Sequence, residues 1–67
     1  MDIQQVFNAC SPIGLDHLHP ASLAIMYEWS KGVVDTQEFI RWFSMPMSDY
    51  LPIARCMIRM LAMTRGA

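Results

Sequence analysis

Charge is what this sequence has least of. Asp, Glu, Lys and Arg together make up 16% of the chain, against about 25% in an ordinary globular domain. Five basic and six acidic residues leave a net charge of −1, so no overall basic excess argues for nucleic acid or an anionic membrane surface. Long hydrophobic runs are missing too. None reaches the ~20 residues that span a bilayer, and Arg55 and Arg59 interrupt the best of them, so no membrane partner is expected. The first residues, MDIQQVFNAC, place an acid where a signal peptide carries basic charge and contain no apolar core segment. A cytoplasmic address is the expectation. Only two cysteines occur, Cys10 and Cys56. In that compartment they are expected as reduced thiols, with a disulfide joining the first and last segments as the alternative.

Chemical motifs are equally scarce. Gly32 to Phe39 resembles the second half of an EF-hand calcium loop, with Gly32 at position six and Glu38 at position twelve. Positions one, three and five then fall on Tyr27, Trp29 and Lys31, and none of these supplies a carboxylate oxygen. A helix stop followed by a capped helix start accounts for the same residues. Asp16, His17 and His19 lie close together, but His-x-His without a second paired motif is a weak zinc signature. No activated-nucleophile motif accompanies either cysteine. No metal, cofactor or enzymatic activity is expected.

What the chain does have is apolar residues: 54% of the total, with mean hydropathy +0.23. A 67-residue domain has proportionally more surface than a large one and should be more polar than average. The excess predicts that part of the apolar surface meets another chain, and it excludes disorder. There is no strand alternation, internal repeat or low-complexity segment. The expectation is a single all-α domain over residues 1–67, a bundle of three to four helices.

Local signals place those helices. Asp2 can cap a short first helix ending near Cys10, in which Ile3, Val6, Phe7 and Cys10 share one face. Leu15 and Leu18 fold the Ser11–His19 connection back onto the core. A second helix opens at Pro20 or Ala21 and runs to about Lys31, with Gly32 as the left-handed residue after it. Asp35 and Glu38 predict a capping box at the start of the third helix, with Val34 and Phe39 as a hydrophobic staple. Met45-Pro46 ends that helix.

The last helix, from Ser48 or Asp49 to Arg65, organises the rest. Proline at 52 falls in its first turn, and no breaker follows until Gly66. At ~100° per residue, Arg55, Arg59 and Ala62 form one narrow stripe, and apolar side chains fill most of the remaining circumference. A one-sided surface helix carries an apolar face only somewhat over ~100° wide, so this one needs cover from more than one side. A homodimer through the flank of Cys56, Met60 and Met63, with Met57 beside it and Arg55 and Arg59 at the rim, would supply it. Seven methionines, four of them in or beside this helix, suit adaptable protein contacts. Trp29 and Trp42 are the candidate hot spots, whichever is exposed. The functional expectation is a non-catalytic regulator that binds another protein and modulates or inhibits it. The alternative is a small dimeric DNA-binding regulator in which the second and third helices form a helix-turn-helix.

Overall fold

A computed structural model describes residues 2–64. Four α-helices follow in order: α1 (Ile3–Cys10), α2 (Pro20–Ser30), α3 (Thr36–Ser44) and α4 (Tyr50–Thr64), with a short 3-10 turn at Leu15–His17 between the first two. No strand occurs among the described residues. The all-α bundle expected from the sequence is the observed architecture. The sequence puts the far end of α4 at Arg65, and that residue and Gly66 lie outside the described residues.

Each helix boundary has a local cause. At α1, Asp2 Oδ1 accepts from Gln5 N at 2.9 Å, and Gln5 Oε1 accepts from Asp2 N at 3.1 Å, a complete capping box. Ser11 and Pro12 then turn the chain out of the helix. At α2 the His19 imidazole caps the start by accepting from Ala21 N at 3.1 Å through Nδ1, and Pro20 takes the first helical position. Its end is a Schellman motif. Gly32 has φ +79°, its N–H donates to Trp29 O, and the Val33 N–H donates to Glu28 O. Asp35 Oδ1 caps α3 by accepting from Glu38 N at 2.8 Å. The full reciprocal box expected there forms at α1 instead, where Gln5 joins Asp2. At α4 the Tyr50 and Leu51 N–H groups donate to Met47 O and Ser48 O, so the helix grows out of a backbone turn.

Packing runs around a ring: α1 touches α4 and α2, α2 lies on α3, and α3 lies on α4. Val6, Phe7, Met26, Phe39, Phe43, Ala54 and Met57 are wholly buried in the core, with Leu18, Tyr50 and Ile53 nearly so. Leu18 and the half-buried Leu15 bring the first connection back onto that core, as expected. One polar residue is buried with them. Ser22 on α2 donates through its hydroxyl to Phe43 O at 2.8 Å. The Phe43 carbonyl falls in the last turn of α3, where carbonyls have no partner within the helix, so the serine satisfies an acceptor that would otherwise be buried alone.

The core has two seams of different chemistry. Between α2, α3 and the start of α4 lies an aromatic row. Trp29 stacks on Phe39 with ring centroids 4.0 Å apart, Phe39 meets Phe43 at 5.0 Å, and Phe43 meets Tyr50 at 5.6 Å. Between α1 and α4 the contact is sulfur-rich. Cys10 and Cys56, expected as thiols, are joined in a disulfide, with Cα atoms 5.7 Å apart across 46 residues of sequence. Met60 Sδ lies 3.3 Å from Cys10 Sγ.

Candidate functional site

The surface assigned to a partner from the sequence divides into three parts. Met57 is wholly buried in the core and cannot take part in an interface. Cys56 and Met60 are half-buried because α1 covers that flank, through the disulfide and the Met60–Cys10 sulfur contact. The second side from which α4 needed cover is therefore occupied within the chain. Arg55, Arg59, Ala62 and Met63 remain exposed, with Met63 at 75%, and the predicted arginine stripe is the solvent face of the helix.

The two tryptophans separate clearly. Trp29 lies over Phe39, and its Nε1 donates to Thr36 Oγ1 at 3.3 Å. It is a core anchor closing the corner between α2 and α3. Trp42 is 44% exposed, with the Arg41 guanidinium carbon 5.5 Å from its ring centre. The rotation of α3 explains the difference. Phe39 and Phe43, four residues apart, face the core, while Trp42 is turned about 80° from the middle of that face, onto the flank it shares with Glu38 and Met45.

Trp42 does not stand alone. Met45 beside it is 60% exposed, and the two form one wall of a groove of about 530 Å³ between the end of α3 and the outer face of α2. Ala24 and Ile25 line the opposite wall, Pro46 adds to its apolar surface, and Glu28 supplies a carboxylate. This groove explains why α2 is apolar on more than one side: Met26 fills the core, while Ala24 and Ile25 line the outer surface. A second groove of about 400 Å³ opens between the first connection and the start of α4, lined by Cys10, Ile13, Met47, Tyr50, Pro52 and Asp49. Its floor includes the Tyr50 ring, whose hydroxyl accepts from His19 N at 3.2 Å.

The remaining candidates are dispersed. Asp16, His17 and His19 are all exposed, and the His19 ring is engaged as a helix cap. Among the described residues no three His, Cys, Asp or Glu side chains converge as metal ligands, and none of the described helices is long and apolar enough to cross a membrane. On α3, the helix expected to read DNA in the alternative function, the exposed polar side chains are Thr36, Gln37, Glu38 and Arg41, and the Thr36 hydroxyl accepts from Trp29. Sequence reading missed the α2 wall of the Trp42 groove, although Ala21, Ala24, Ile25 and Glu28 recur at helical spacing and signalled a second face. Compared with protein-family models, curated proteins and solved structures, the chain gives no match.

Proposed function

We propose that this chain is a non-catalytic regulator that binds another protein through the groove around Trp42 and thereby modulates or inhibits it. One observation carries the reading: a large aromatic side chain, exposed beside an exposed methionine, on the wall of an apolar groove. Tryptophan is enriched among residues that dominate interface energies, and methionine adapts to irregular partners. With Glu28 as the carboxylate of the lining, the partner segment that fits is apolar with a basic residue at its edge. Self-association through α4 belongs to the same reading, narrowed to the exposed row of Arg55, Arg59 and Met63. The DNA-binding alternative gains nothing from the exposed side of α3, where Arg41 is the sole basic residue and Glu38 opposes it.

The test compares Trp42→Glu with the wild-type chain. Proteins retained from the native host by the wild type and lost by the variant, at unchanged helix content, support the reading. Equal retention by both overturns it. DNA retention that falls steeply with salt would favour the alternative. A cytoplasmic setting is retained as part of the proposal. It is tested by trapping thiols with an alkylating agent in intact cells, because a reducing compartment keeps cysteines unpaired.

A further inference from the structure

We infer that the Cys10–Cys56 bond is a redox latch: oxidised, it holds α1 against α4, and reduced, it lets α1 leave while α2, α3 and α4 stay folded. The inference stands on how the molecule is divided. α1 has eight residues, and isolated helices shorter than ~12–15 residues are marginal in water. Apart from the bridge it is held by noncovalent contacts alone, with Ile3 and Cys10 packed on the core beside two deeper side chains. Val6 and Phe7 are its only fully buried side chains, and Gln4 Nε2 donates to the Tyr27 hydroxyl at 2.8 Å. A connection of nine residues, Ser11–His19, separates it from α2.

Val6 and Phe7 belong to the common core, but the other three helices also hold one another through contacts that α1 does not make. The aromatic row from Trp29 to Tyr50 and the Ser22–Phe43 hydrogen bond involve no residue of α1. What α1 covers on α4 is the flank of Cys56 and Met60, so its departure uncovers that apolar flank.

The bond is also placed where a reductant can reach it. Cys10 lines the open groove beside Ile13, Met47 and Tyr50, and both cysteines are only half-buried. The co-reactant is a thiol, either a small one such as glutathione or the dithiol of a reductase. Its thiolate attacks Cys10 Sγ, a mixed disulfide forms, and Cys56 leaves as a thiolate and takes a proton. A second thiol then displaces Cys10, giving two protein thiols and one external disulfide. Two electrons move from the external thiols to the bridge, and oxidation by an external disulfide runs the same steps in reverse.

Hydrogen exchange on the full chain tests the latch, comparing oxidised protein, protein equilibrated with reduced glutathione, and the double variant Cys10→Ser with Cys56→Ser without reductant. Closing a loop of this length by a disulfide restrains the unfolded chain strongly. The expected result is that amides of α1 exchange about two to three orders of magnitude faster in both the reduced protein and the variant. Buried amides of α2, α3 and α4 keep most of their protection. Three results would overturn the inference. Reduced glutathione leaves the bond intact; α1 stays protected after reduction; or the whole molecule loses protection together in the reduced protein or the variant, which makes the bond a staple of the entire fold.

Discussion

The aromatic seam and the sulfur seam solve the same problem by opposite means. From α2 to α4, four rings in sequence order bury area in many small contacts, and each helix brings its own aromatic residues. From α1 to α4, a helix too short to persist alone is held by one covalent bond and a handful of side chains. The first seam is spread over several ring contacts. The second depends on a single bond whose state is set by the surroundings. A small chain with a marginal core gains most from such a staple.

Mutations can break or sharpen that contrast. Phe39→Ala should have the largest effect, lowering stability by about 3–5 kcal/mol, because Phe39 is wholly buried and touches both Trp29 and Phe43. A urea melt of the oxidised protein measures it, and a loss under about 1 kcal/mol would place the stability outside the aromatic seam. Met60→Glu comes next, at about 2 kcal/mol, since it moves a carboxylate toward the Cys10 sulfur in a half-buried apolar site. Its loss of amide protection should concentrate in α1, and a uniform loss over all four helices would contradict the two-seam division. Sedimentation equilibrium of the same variant adds a check on association. An unchanged mass is expected, because α1 already meets Met60.

Asp35→Ala should cost about 1 kcal/mol by removing the cap of α3, readable as a shift of the urea midpoint at constant slope. The smallest effect carries the opposite sign. Ser44 Oγ is buried without a hydrogen-bond partner, so Ser44→Ala should raise stability by about 0.5–1 kcal/mol, from relief of the unpaired hydroxyl and better helix propensity. A lowered thermal midpoint would mean that this hydroxyl has a partner in solution.

Legibility in the sequence follows the range of the interaction. Pro20, Gly32, Asp35 and Pro46 fix helix ends through contacts within a few residues, and every one of those boundaries lies where the residues place it. Gln5 carried the same kind of signal, three residues after Asp2, so the capping box of α1 was readable. The exposure of Trp42 is also local in origin, since the helix wheel turns it about 80° from the middle of the Phe39–Phe43 face, toward Glu38. The disulfide was not readable. Cys10 and Cys56 are 46 residues apart, no pattern within either helix points to the other, and the expected compartment argued for free thiols. With the disulfide, the cover that α1 gives the Cys56 and Met60 flank went unread. A helix needing cover on two sides reads the same whether the cover comes from a partner or from the chain's own first helix.

The bridge also changes what counts as cutting this protein. Residues 10 to 56 form a closed ring, so one break of the backbone anywhere within it opens the ring without separating the molecule. Met45, Met47 and Val33 stand exposed on its connections, where a protease would first meet the chain. A single nick there leaves every fragment covalently attached. On a non-reducing gel the nicked protein therefore migrates as one species, and its two pieces part only when a thiol is added.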